Sequence, residues 1–211
     1  MKTGLLNVPQ ALNRLLASST VKAAQVLTGP AALVMSIGFG ALAIGCNEGG
    51  VGDPCIPEDE YQLDFAGYSE KEVNVESRSF QCETRVCLVN KFRGRVSCKY
   101  GGAENECLTP DSREKVTVAV APQLVERRPI DAVYCSCRCA GIGGAKNDGA
   151  PYCECPDGFS CTDLIKDWDL GNKQLAGSYC VKNGTERTPE SIDTNRFCKD
   201  NNCNDKTDPY N

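Results

Sequence analysis

Cysteine decides most of what this chain can fold into. It stands at Cys46, Cys55, Cys82, Cys87, Cys98, Cys107, Cys135, Cys137, Cys139, Cys153, Cys155, Cys161, Cys180, Cys198 and Cys203, while histidine is absent. Such density belongs to oxidising compartments, where disulfides persist. Zinc, the main rival use of clustered cysteine, would need all-Cys sites here. Cys135-Ser-Cys137-Arg-Cys139 and Cys153-Glu-Cys155 leave one residue between cysteines, whereas structural zinc pairs usually leave two to four. No Cys-x-x-Cys occurs, which removes the usual redox-active dithiol motif. Structural disulfides are therefore expected, yet fifteen is odd and one cysteine needs another use.

That cysteine follows an apolar run. Residues 31–45 carry no charge and end in Leu42-Ala43-Ile44-Gly45-Cys46. The run is too short for a spanning helix, which needs about 20 residues, and has the length of a signal-peptide core. Lys2, Arg14 and Lys22 precede it, and no Asp or Glu occurs before Glu48. The end of the run resembles the lipobox of bacterial lipoproteins, with Ala43 where that family more often has Leu. The resemblance implies cleavage between Gly45 and Cys46, a diacylglycerol on the Cys46 thiol and attachment to the lipid bilayer. It also implies export by the general secretory route, and no Arg-Arg pair points to the twin-arginine route. An ordinary cleaved signal peptide and a transit peptide are the alternatives. With Cys46 as lipid carrier, the remaining fourteen cysteines suffice for seven disulfides of unassigned pairing.

The expected organisation is a signal peptide at 1–45, a lipidated flexible tether at 46–60, a β-rich region at 61–121 and a Cys-rich stapled region at 122–211. The tether reading rests on Gly49, Gly50, Gly52, Pro54 and Pro57 among acidic residues. Beyond it the pattern is strand-like. Val73 and Val75 alternate with polar residues, and residues 85–90 and 95–100 flank Lys91-Phe92-Arg93-Gly94 as an expected hairpin. Residues 101–113 are expected as a surface loop carrying Cys107. Val116, Val118 and Val120 alternate as a strand with one apolar face, stopped by Pro122. If 130–139 is extended, Cys135, Cys137 and Cys139 share a face about 6.7 Å apart, too far for bonds among themselves. Their partners should come from other segments, with Cys153, Cys155, Cys161 and Cys180 the nearest supply. Residues 162–170 could form a short helix with Leu164, Ile165 and Trp168 on one side. Asn183-Gly184 signals a second hairpin. The fold class is thus small, disulfide-rich and mainly β, with antiparallel hairpins, long loops and at most one short helix.

Several motifs fail on inspection. Gly141-Ile-Gly-Gly-Ala-Lys146 lacks the Gly before Lys and the following Ser or Thr of a phosphate loop. Residues 153–161 resemble the end of an EGF-like module, but Cys161 comes too soon after Phe159. The tail 200–205 has oxygen ligands at alternate positions, yet Asp205 replaces the Gly of a calcium loop. Asn183-Gly-Thr185 is a glycosylation sequon that need mean nothing in a bacterial lipoprotein.

Charge narrows the function classes. Removing Lys2, Arg14 and Lys22 from 23 basic residues leaves 20 against 28 acidic ones, a net charge of −8 after cleavage. Such a surface repels phosphate backbones, so no nucleic-acid partner is expected. No nucleophile–base pair is legible, and Asp163, Asp167 and Asp169 read as a solvated face rather than catalytic carboxylates. The expectation is a non-catalytic binding or structural lipoprotein of the cell envelope, at the outer membrane, with no cofactor and with an unidentified envelope protein as possible partner. In composition it also resembles uncharacterised Cys-rich lipoproteins of gliding Gram-negative bacteria, which implies no activity. The alternative is a metal-binding or thiol-redox protein using the Cys-x-Cys clusters.

Overall fold

A computed structural model describes residues 49–166, 175–199 and 202–203. The chain divides into two units, Met1–Gly45 and Cys46–Asn211, and every described residue lies in the second. Cys46 and the preceding residues read as a lipobox lie outside the described residues. The described fold is mainly antiparallel β, with two three-stranded sheets, one α-helical turn, short 3-10 turns and seven disulfides. No described helix is long and apolar enough to cross a membrane.

The first sheet joins β1 (Val73–Glu76), β2 (Val86–Asn90) and β3 (Val133–Ser136) in that order. Period-two alternation gives central β2 two buried faces. Cys87 and Val89 point into a core with Tyr68, Phe92, Val96, Val133 and Cys135. Leu88 points the other way, against Tyr134 and Val181, so this second core joins the sheets. The helical turn α1 (Pro129–Ala132) feeds directly into β3, with Pro129 at its first position, where a missing N–H costs nothing. The second sheet has the order β4 (Arg138–Ala140), β6 (Gly177–Lys182), β5 (Phe159–Ile165). Gly177 has φ 127°, and a Cβ there would strike the Ala140 carbonyl oxygen; only glycine lets β6 start so close to β4.

Several local expectations are corrected. Residues 85–100 do not form a hairpin, because β2 takes β1 and β3 as partners. Gly94 does adopt a positive φ of 84°, but it pairs with Tyr68. The 130–139 run is not one strand: it leaves the first sheet after Ser136 and enters the second at Arg138. Residues 162–165 belong to β5 rather than to a helix, and Trp168 lies outside the described residues. A tight turn occurs at Asn183-Gly184, with Thr185 N–H donating to the Lys182 carbonyl at 3.2 Å, but β6 pairs with β4 and β5 and the turn closes no hairpin. Val116 and Val120 are buried together as alternation requires, pairing only by isolated bridges with the 102–108 segment. From Gly49 onward the segment read as a tether is bound to the body. Gly52 N–H donates to Cys135 O, Cys135 N–H donates to Asp53 O, each at 2.8 Å, and Glu60 is fully buried.

Candidate functional site

The fourteen cysteines after Cys46 are consumed in pairs: Cys55–Cys87, Cys82–Cys135, Cys98–Cys107, Cys137–Cys153, Cys139–Cys161, Cys155–Cys180 and Cys198–Cys203. As expected, Cys137 and Cys139 find partners among the later cysteines; Cys135 turns back to Cys82 instead. One rule recurs in both sheets. Cys87 lies directly opposite Cys135, and Cys161 directly opposite Cys180, yet neither pair is bonded. Cβ atoms facing across an antiparallel ladder stand about 4.5–5.5 Å apart, wider than the mean of about 3.8 Å in a disulfide. Cys87, Cys135 and Cys180 therefore reach outward and pin a further segment onto their sheets, whereas Cys161 on β5 bonds Cys139 on β4, the other edge strand of its own sheet.

The bridges stack. Cys180 Sγ lies 3.5 Å from Cys137 Sγ and 3.8 Å from Cys153 Sγ. Cys139, Cys155 and Cys180 form another close group, as do Cys55, Cys82 and Cys135, with sulfurs within 4.8 Å of one another. Every sulfur in these groups is in a disulfide. The thiolate is the form that binds metal or attacks a disulfide, so the Cys-x-Cys clusters gain such chemistry only on reduction.

Beside this sulfur core lies a cleft of 440 Å³, lined by Thr84, Val86, residues 149–153 and Leu175. Cys137, Arg138 and Tyr179 complete the lining. Arg138 is held on β4 by the Ala176 carbonyl, which accepts from Nε at 3.0 Å and Nη2 at 2.5 Å. Its Nη2 also lies 2.8 Å from the Asp148 carboxylate, and the guanidinium stacks 5.1 Å from the Tyr152 ring centroid. Asp148 accepts further bonds from the Tyr152 hydroxyl and the Ala150 N–H. Those two bonds, then Arg138, hold its carboxyl down at about 2. A carboxylate so weakly basic is poorly matched to proton abstraction near neutrality. Tyr179 donates to the Leu175 carbonyl at 2.7 Å, and burial pushes its phenol up to about 12. The cleft is thus aromatic and apolar, with its polar groups already engaged.

A second cleft, of 330 Å³, sets Asn90, Lys91, Asp163, Glu186 and Arg187 beside the apolar Leu164 and Val181. Lys91 donates to the Arg187 carbonyl at 2.6 Å, and burial followed by the charge of Arg127 draws its ammonium pKa down. Asp163 lines this cleft, while Asp167 and Asp169 lie outside the described residues, so the three carboxylates cannot be placed together. Only Cys203 and Asn202 of the 200–205 tail are described, and Asn202 Oδ1 accepts from Lys199 N–H at 2.6 Å.

Sequence reasoning missed the buried charges. Glu60, Arg95 and Arg127 are at most 1% exposed. Glu60 accepts from Val96 N–H, Ser97 N–H and Ser97 Oγ, although burial still drives its carboxyl above the ordinary range. For Arg138 a signal existed, since it sits between two cysteines expected in disulfides; Glu60 and Arg95 carried none. No family model matches the chain, and no curated protein or solved structure shows significant similarity to it.

Proposed function

We propose that this chain is an exported, lipid-anchored envelope protein whose disulfide-stapled body serves as a non-catalytic binding or structural module. The observation that supports it is the cysteine pairing: fourteen of the fifteen are bonded to one another, which leaves Cys46, at the end of the lipobox, as the remaining one. Acyl chains then supply the membrane affinity that an acidic surface does not, at roughly 0.8 kcal/mol per buried methylene. The binding role rests on the 440 Å³ cleft, whose saturated polar groups leave shape and apolar contact as the means of recognition.

The test is Cys46→Ser in the full chain with metabolic labelling by a clickable fatty acid. The label should be lost, the precursor should stay uncleaved, and the protein should leave the membrane fraction. Normal trimming and unchanged membrane partition of Cys46→Ser would show the lipobox reading to be wrong.

A further inference from the structure

Between the lipid-bearing residue and the folded body there is almost no chain. Gly49 N–H donates to the Gln81 carbonyl at 2.8 Å, and Glu83 N–H donates to the Gly49 carbonyl at 2.9 Å, making a parallel bridge with Cys82. Three residue steps separate Cys46 from Gly49. Fully extended, they reach about 11 Å. Each headgroup layer of a bilayer is about 5–8 Å thick. A cysteine whose acyl chains lie in the hydrocarbon therefore brings residues 79–83 to the membrane surface.

The side chain displayed beside that entry point is Phe80. It is 82% exposed, far more than any other large apolar side chain among the described residues. It sits one residue from Gln81, whose carbonyl receives Gly49. The loop that carries it is firmly built. Ser79 N–H donates to Arg85 O, Arg85 N–H donates to Cys82 O, and Cys82 is bonded to β3 through Cys135. The Arg85 guanidinium lies 5.2 Å from the centre of the Phe80 ring, and Arg78 is exposed on the loop's other side. On a body of net negative charge, this loop sets two arginines and one glutamate, Glu83, around an exposed aromatic ring. Such a group matches the bilayer interface, where Trp, Phe and Leu side chains insert at the headgroup/acyl boundary and arginine pairs with phosphate.

We infer that the 78–85 loop is a membrane-contact surface: Phe80 seats among the lipid headgroups beside the anchor, with Arg78 and Arg85 on the phosphates. The inference rests on the proposed lipidation of Cys46. It adds an orientation, since the loop end of the body meets the bilayer and the opposite end of β2 faces away. Phe197 marks that opposite end: it pairs with Leu124, next to Arg127, whose Nη2 donates to Asn90 at the end of β2.

The experiment uses the full chain purified from membranes, carrying Trp168→Phe together with either Phe80→Trp or Phe197→Trp. Each form is reconstituted into vesicles of phosphatidylethanolamine and phosphatidylglycerol that include lipid brominated near the headgroup. Both substituted positions are exposed, so both forms should fold, which near-ultraviolet circular dichroism checks. The expected result is a lipidated protein that floats with vesicles, with most of the position-80 emission quenched and blue-shifted and the position-197 emission unchanged. A lipidated, floating protein whose position-80 indole is quenched no more than the one at 197 overturns the contact and leaves the anchor standing. A chain bearing no lipid overturns both.

Discussion

Removing one disulfide at a time should rank the bridges by the loop each closes. Cys82–Cys135 closes the longest span, with a sequence separation of 53, and Cys198–Cys203 the shortest, with a separation of 5. Chain-entropy scaling assigns the first about 4 kcal/mol and the second about 2 kcal/mol at 25 °C. Cys98–Cys107 lies within the longer loop and shortens it, but the dependence is logarithmic and the figure barely moves. All four sulfurs are buried, so paired Cys→Ala substitutions leave similar small holes and those costs largely cancel in the comparison. The remaining difference of about 2 kcal/mol corresponds to about 4–8 °C in Tm for a body of this size. Thermal unfolding of the full-length Cys82→Ala/Cys135→Ala and Cys198→Ala/Cys203→Ala forms, without reductant, should show the first melting lower by that interval. Equal melting temperatures, or the reverse order, would refute the premise that unfolded-chain entropy sets the ranking.

Reduction of all seven bridges should open the second sheet first, because its local core is mainly sulfur, whereas the first sheet adds Tyr68, Val89, Phe92, Val96 and Val133. Hydrogen exchange on the reduced chain checks this, and faster opening of β2 than of β6 would contradict it. Asp148 titrates at about 2 in the folded chain against an ordinary 3.8. Its depressed value means that its stabilisation is full above about pH 4 and is lost as pH falls towards 2. Asp148→Asn should therefore lose less stability than wild type between pH 4 and 2 in urea titrations, and parallel losses would count against the Arg138–Asp148–Tyr152 group. Arg127→Met should destabilise by on the order of 3 kcal/mol, since it strands buried carbonyls. Arg127→Lys should recover only part, lacking the planar fork; full recovery in the same titrations would mean that charge alone matters.

The fold class was legible because its causes are local. Cysteine density, short alternating runs and scattered glycine and proline all point to small sheets held by disulfides. Partner choice was not legible. Residues 130–139 alternate in a way that suits either sheet, so nothing local announces that the strand changes sheets at Cys137. Gly94 declared its positive φ, but whether its segment pairs with β2 or with Tyr68 depends on residues 26 positions away. Leu164 and Ile165 sit on β5 although their spacing with Trp168 also fits a helix, and β-branched Thr162 and Ile165 were the better guide. In the first cleft, Cys137 is legible from sequence as part of a disulfide set, whereas the Arg138–Asp148–Tyr152 group forms only when the 141–150 loop folds back over β4.

What replaces a long hydrogen-bonded ladder here is a division of labour between sulfur and arginine. No described strand exceeds seven residues, so much of the buried backbone lies in loops whose carbonyls still need donors. Disulfides tie such loops down but donate nothing. Arginine does, with five N–H groups in a fixed fork. Arg127 donates to the carbonyls of Asn90, Lys91, Asp131 and Thr185, joining the end of β2 to α1 and to the turn after β6. Arg95 does the same for Glu60, Gln62 and Phe65 in the entry segment. Burying these cations opposes their charge, and Arg127 is drawn down to about 10, yet it remains protonated at neutral pH. A lysine at such a position, with a lower ordinary pKa and a single-point head, would face the same desolvation with fewer donors. Each arginine thus supplies, at one buried point, donors that a longer sheet would have spread along a strand. That is how a chain with short strands supplies donors to the carbonyls of its buried loops, although Arg95 Nε, Ser79 Oγ and Asn90 Oδ1 stay buried without a hydrogen-bond partner.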